Sequence, residues 1–241
     1  MPFSIASFMA CFQSMQAKAL VMPVAPLHDF AAVLTGDIRE SRHSSEAALG
    51  NAMSRIAETA HDIGDDLNLE TRFNRHRGDG WQVFLPRAQG ALRAALRISA
   101  ALTAQEDGLK TRIAIGLGSA TIPDDGDLGA ASGTAFVAAG DMLDSMDRHE
   151  MIVIDRQVGT VMTAMIGLLD WQAQNWTAPQ SAALFEALRH RAPTQEDIAT
   201  KFGVSRQAIQ LRLAGTGLPA IREAIHAFQS TVPRVRDQAN P

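Results

Sequence analysis

Two aspartates each follow a glycine at the border of a short apolar run. Asp37 closes Ala31–Ile38 (AAVLTGDI), and Asp79 lies in Arg77–Phe84 (RGDGWQVF). Both runs read as β-strands, with Asp37 where the first strand ends and Asp79 where the second begins. Carboxylates delivered from neighbouring strands repel unless a cation lies between them or one takes a proton. Such a pair suits Mg²⁺ (or Mn²⁺) with a phosphate group, although Gly-Asp is also a common turn pair. Arg39, Ser41 and Arg42 follow Asp37 and offer groups that hold phosphate; polar residues entering a helix do structural work as often.

A second constellation lies in Pro193–Leu213, PTQEDIATKFGVSRQAIQLRL. Thr194 opens a capping pattern with Asp197, Gly203 makes a tight turn, and Ser205 caps a second helix. Ile198 and Ala199 face inward with Val204, then Ala208, Ile209 and Leu213. Arg206, Gln207, Gln210 and Arg212 are left outside. This is the helix-turn-helix pattern, and Arg and Gln match guanine and adenine edges. The candidate DNA contacts are Thr194, Gln195, Ser205, Arg206, Gln207, Gln210 and Arg212. One module of this size binds DNA weakly, so a homodimer is expected. The alternative is a helical hairpin used only for packing or dimerisation.

The elements around the aspartates alternate. Leu49, Met53, Ile56, Ala60 and Ile63 form one helical stripe behind an N-cap at Ser44 or Ser45. Thr71–Arg75 and Gly80–Leu85 form a hairpin with Asp79 at its tip. Ala88–Gln105 is a second amphipathic helix, and Thr111–Ala120 (TRIAIGLGSA) a strand. Its Ala114, Gly116 and Gly118 leave one face thin enough for a helix or a ligand to approach. A helix over Ala135–Asp144 and a strand over Met151–Asp155 follow. The order β-α-β-β-α-β with an appended α-β predicts an α/β (α+β) ferredoxin-like, palm-type mixed sheet. From about Val158 the chain reads as all helix, including Gln180–Arg191.

Composition narrows the class. The 241 residues are 46% apolar and 20% charged with a net charge of −4, so the whole chain is no nucleic-acid-coating polycation. From Thr177 onward 8 Lys/Arg stand against 5 Asp/Glu, and before it 14 stand against 21. A basic C-terminal part on an acidic body fits a small DNA-binding module. One cysteine, Cys11, excludes an intrachain disulfide framework, and a cytoplasmic location is expected. No apolar run is long enough to span a membrane. The seven histidines lack the spacing of a zinc site. The expected layout is an N-terminal extension over 1–28 with the start at Met1 or Met22, a palm domain over 29–156, a helical domain over 157–230, and a tail over 231–241.

GDIRES, RGDGWQVF, RIAIGLG and GTAFVAAGDML resemble the successive blocks of the class III nucleotidyl cyclase palm, across about Ala31–Asp155. The resemblance implies that Asp37, the carbonyl of Ile38 and Asp79 bind metal, and that Arg75 sits where the family often has a purine-reading lysine. It also shows departures. The family's transition-state Asn and Arg fall near Val137 and Asp141, and its base-selecting Asp near Ala130. Adding L-L-D-W…W-T…Q and TQE-x-IA-x-x-x-GVS, the stretch Asp29–Phe228 is similar to the SatD family, which implies this order of a palm and a helix-turn-helix. The first reading is a transcriptional regulator whose palm binds a nucleotide or other phosphorylated small molecule with Mg²⁺. The second is an active nucleotidyl cyclase or nucleotidyltransferase, a metal-dependent phosphorus–oxygen lyase. The third is a palm used only for dimerisation.

Overall fold

The computed structural model describes residues 27–76 and 78–232. The extension expected over 1–28 falls almost wholly outside these residues, as do Cys11, Arg77 and most of the tail. The palm half consists of β1 (Leu27–Ile38), α1 (Glu46–Leu67), β2 (Arg72–His76), β3 (Gly80–Leu85), α2 (Ala91–Thr103), β4 (Thr111–Thr121), α3 (Thr134–Ser145) and β5 (Ile152–Ile154). The sheet order is β2-β3-β1-β4-β5. The first four strands pair antiparallel, and β5 joins β4 in parallel. This is the ferredoxin-like arrangement that the element order implies, with β1 at its centre.

Strand β1 outlasts its expected end. Ile38 is buried, pairs with Thr111, and donates its N–H to the carbonyl of Asp79 at 3.2 Å. That apolar side chain carries the ladder past Gly-Asp. Asp37 therefore lies inside the sheet, opposite Gly80 on one side and Arg112 on the other.

Alternation along the strands makes two cores. Ala32, Leu34 and Ile38 join Ile113, Ile115 and Leu117 beneath α1 and α2. Ala31 and Val33 join Phe84, Ala135 and Ala139 beneath α3. The thin face of β4 serves that helix. A Cβ on Gly116 would collide with the Ala135 carbonyl and the Ala139 amide, so glycine lets α3 lie against the strand. Ser45 caps α1 by accepting from the Ala48 N–H at 3.1 Å. Asn68, in the left-handed conformation, ends it. A 3-10 turn over Ala88–Gly90 delays α2 until Ala91.

The helical half comprises α4 (Thr160–Ala173), α5 (Ala178–Ala187), α6 (Gln195–Phe202), α7 (Arg206–Thr216) and α8 (Leu218–Thr231). Helix α5 is shorter than expected. It starts at a Thr177–Gln180 capping box with proline in its first turn and stops short of Leu188. The core does not break at the expected boundary near residue 156: Leu184, Phe185, Leu213 and Phe228 are contiguous with Leu92 and Leu96.

At this junction two guanidiniums lie over the Phe185 ring, Arg55 at 4.6 Å and Arg97 at 4.7 Å from its centroid. Arg97 is 1% exposed. It donates to Asp66 at 3.2 Å and lies 3.8 Å from Asp62. Arg189 reaches Asp66 at 3.5 Å and Glu186 at 3.8 Å. Glu186 in turn holds Lys201 of α6 at 2.6 Å. A single network of charges thus joins α1 and α2 to the C-terminal helices.

Helix α4 carries Asp170, which is buried and accepts the Met151 N–H at 3.2 Å and the Gln174 side chain at 3.0 Å. Burial raises its carboxyl from 3.8 to about 6, against the opposing pull of the Met151, Gln174 and Ile152 donors. The native state then binds this proton more tightly than the unfolded chain. Its contribution is fully present below about pH 4 and is lost as pH rises through about 6, up to about 3 kcal/mol. Melting temperature against pH should show that decline in the wild type, and Asp170→Asn should flatten it over the same window. Among the described residues, no helix is long and apolar enough to cross a membrane.

Candidate functional site

Asp37 and Arg112 face each other across β1 and β4 on the α3 side of the sheet. Arg112 Nε donates to Asp37 Oδ1 at 2.9 Å, and its Nη2 donates to Asp37 Oδ2. Both carboxylate oxygens are thereby engaged by one guanidinium, each side chain about a quarter exposed. The hydrogen bond it donates to Asp37 holds the Arg112 pKa above its ordinary value despite partial burial, and Asp144 and Asp79 act in the same direction. Arg112 is the cation that Asp37 binds, with Asp144 and Asp79 near enough to act on its charge.

The local backbone holds this pair in place. Trp81 Nε1 donates to Thr111 Oγ1 at 2.9 Å, and Thr111 Oγ1 donates to the Asp37 carbonyl at 2.7 Å. Gly36 leaves room for the Trp81 ring, where a Cβ would strike both the indole and the Arg112 carbonyl. Beyond Ile38, Glu40 adopts a left-handed conformation (φ 56°), turning the chain toward the 3-10 turn Ser41–His43.

Three of the four expected nucleotide-site residues meet at Asp79. Ser41, Arg42 and Arg75 line a cleft of about 570 Å³ with Glu46, Leu49, Gly78 and Asp79. The volume lies in the range of small-molecule sites. Arg75 Nε donates to the Gly78 carbonyl at 2.9 Å, which fixes the arginine to the hairpin tip beside Asp79. The structure does not bring Arg39 into this cleft. Its Nη1 points to Met151 Sδ at 3.6 Å, and it borders a different hollow with His43 and Lys110.

In this arrangement Asp37 is not free to hold a divalent metal. Asp37 has both oxygens on Arg112, leaving the Asp79 carboxylate and the Ile38 carbonyl as the remaining expected donors. Among the described residues, no group of three or more His, Cys, Asp or Glu side chains is placed to hold an ion. Helix α3 brings no cationic or amide side chain to this site. Its sequence TAFVAAGDMLDS lacks Lys, Arg, Asn and Gln, and Val137 and Asp141 stand exposed.

The second site is the α6–α7 pair. Thr194 and Asp197 form a reciprocal capping box, and Gly203 adopts φ 63° at the turn. Ser205 caps α7 by accepting from the Ala208 N–H at 3.2 Å. The hydroxyls of Thr194 and Ser205 are thus used by the fold. Ile198, Ala199, Ile209 and Leu213 are buried as expected, and Ala208 is half-buried. Arg206, Gln207 and Gln210 are exposed on α7, while Gln195 and Arg212 are half-buried.

Sequence reasoning missed Arg112. The alternation of TRIAIGLG already places it on the face of Ala114 and Gly116, but nothing in the sequence sets the register that opposes it to Asp37.

No family model matches the chain, and no curated protein matches it. Solved structures do. The guanylyl cyclase Cya2 is 13% identical with a TM-score of 0.40, over 55% of this chain and 77% of that one. The catalytic core of a rhodopsin-guanylyl cyclase with converted specificity, in complex with ATPαS, is 18% identical with a TM-score of 0.42, over 55% and 80%. The adenylyl cyclase CyaB from P. aeruginosa is 16% identical with a TM-score of 0.38, over 55% and 79%.

Proposed function

We propose that the chain is a cytoplasmic DNA-binding regulator whose palm half binds a nucleotide or another phosphorylated ligand. One observation carries the ligand reading. Ser41 and Arg42 on one turn and Arg75 on the hairpin converge with Asp79 on one cleft. Guanidinium groups with a hydroxyl bind phosphate by charge-assisted hydrogen bonds. The DNA reading is supported by α7. Arg206, Gln207 and Gln210 are exposed there with no hydrogen-bond or ion-pair partner among the described residues, on a helix held rigid by its partner α6. On its motifs we place the chain with the SatD family.

Helix α1 connects the two sites. Glu46 and Leu49 at its start line the cleft; further on, Arg55 lies over Phe185 of α5, and Asp62 and Asp66 bind Arg189 just beyond it. A helix of 22 residues spans about 33 Å, so a shift at the cleft is transmitted to the junction by one rigid element.

A second reading keeps the metal. Asp37 binds a cation already, the Arg112 guanidinium, and Asp79 acts on that charge in the same direction. Mg²⁺ or Mn²⁺ on Asp37, Ile38 and Asp79 requires Arg112 to leave Asp37.

Calorimetric titration of the full chain with ATP, GTP, CTP, UTP and inorganic triphosphate, with and without Mg²⁺, separates these readings. At least one nucleotide should bind without Mg²⁺, and Arg75→Ala and Arg42→Ala should each weaken it about tenfold or more. Binding that requires Mg²⁺ in the wild type favours the second reading. No heat with any of the five contradicts the ligand site.

A further inference from the structure

Helix α4 is apolar on both sides. Met162, Ile166, Leu169 and Ala173 face the core, as an amphipathic surface helix requires. The opposite side should be polar, yet Val161 is 86% exposed, Leu168 69% and Trp171 69%. Ala164 and Gly167 complete that outer stripe, and no Lys, Arg, Asp or Glu lies on it, since Asp170 is buried. A helix that is hydrophobic all round belongs in an interior. Among the described residues, nothing covers this face.

We propose that a second copy of this chain covers it, in a two-fold symmetric antiparallel pairing of α4 helices. The stripe is complementary to itself. A crossing centred between Gly167 and Leu168 sets Trp171 over Ala164 of the partner subunit and Leu168 over Gly167 of the partner subunit. Large side chains then meet small ones on both sides of the axis, as a two-fold interface requires. A Cβ at Gly167 would meet nothing within 4 Å, so its surface is open to such a contact. The absence of charge matters too: a charged stripe would repel its own copy, and the chain as a whole carries −4. The three large side chains present on the order of 400 Å² of apolar surface per copy. Two such faces supply about 800 Å², most of the roughly 1,000 Å² that marks a specific interface.

The pairing also places the helices read above as DNA-binding. Gln172 of α4 donates to the Thr216 carbonyl at the end of α7 at 2.8 Å. A dimer axis through α4 therefore sets two α7 helices on either side of it, which serves two DNA half-sites only if the DNA reading holds.

Sedimentation velocity of the full chain at micromolar concentrations tests the dimer directly. The expected mass is twice 25.9 kDa. Trp171→Glu and Leu168→Lys should each raise the dimer dissociation constant roughly 30-fold or more, with unchanged circular dichroism. Leu168→Cys, in a Cys11→Ser background, lies beside the axis and should cross-link into a covalent dimer on mild oxidation. Its cross-linking stands as a test even where the charged variants misfold. A wild type that stays monomeric contradicts the proposal, and so does a dimer that persists in both charged variants. A dimer without affinity for DNA would leave this interface standing and sink the DNA reading; a DNA-binding monomer would do the reverse.

Discussion

Asp66→Ala should destabilise the chain by about 3–5 kcal/mol, the cost of leaving a buried charge without its partner. Asp66 accepts from Arg97, whose side chain is almost wholly enclosed, and it also binds Arg189 and the His190 N–H. Burial already depresses the Arg97 pKa, with Asp66 the main group opposing that shift. Asp62, an ion pair at 3.8 Å with no hydrogen bond to Arg97, compensates only in part. Arg97→Met removes the buried charge itself and should cost less, because a linear apolar side chain still packs beside Phe185. Denaturant unfolding of both variants measures the difference. An Asp66→Ala cost equal to or smaller than that of Arg97→Met would contradict this account of the junction.

Gly36→Ala should cost about 3 kcal/mol, at the upper end for overpacking. Most overpacked methyl groups are absorbed by moving a side chain. Here the obstacles are the Arg112 carbonyl, fixed in the sheet, and the Trp81 ring, fixed by its bond to Thr111. Strands β1 and β4 must separate where Asp37 meets Arg112, so the same variant should also weaken ligand binding. The denaturation midpoint and Trp81 fluorescence report the first effect, and calorimetry the second. Trp81→Phe should restore part of the stability lost in Gly36→Ala, because it gives back the space the new methyl group needs.

Hydrophobic periodicity made most of the fold legible. The stripe Met53–Ile56–Ala60–Ile63 and the alternation Ile113–Ile115–Leu117 each follow from a single element's burial, so one chain segment contains the signal. The capping residues Ser45, Thr194 and Ser205 were readable for the same reason. The candidate site was legible only in part. Asp79, Arg75, Ser41 and Arg42 meet because two turns close on each other, and Arg39, adjacent in sequence, turns away at Glu40. The Asp37–Arg112 pair depends on strand register, and the Arg55–Phe185–Arg97 stack depends on packing between segments some 90 to 130 residues apart. Interactions of that range leave no local pattern. The expected division near residue 156 followed a real change from mixed elements to helices, but a change of element type does not require a break in the core.

The central claim is that one chain couples a phosphate-binding cleft to a DNA-reading helix pair through α1 and the junction charges. The most direct test is fluorescence anisotropy of a duplex selected from a random pool by the full chain, titrated with and without a saturating nucleotide that binds the cleft. Linkage predicts that the nucleotide shifts DNA affinity by about fivefold or more, and that the DNA shifts nucleotide affinity by the same factor. Arg75→Ala should abolish the shift while leaving DNA affinity in the absence of nucleotide unchanged. Nucleotide and DNA each binding with no effect of one upon the other would contradict the claim.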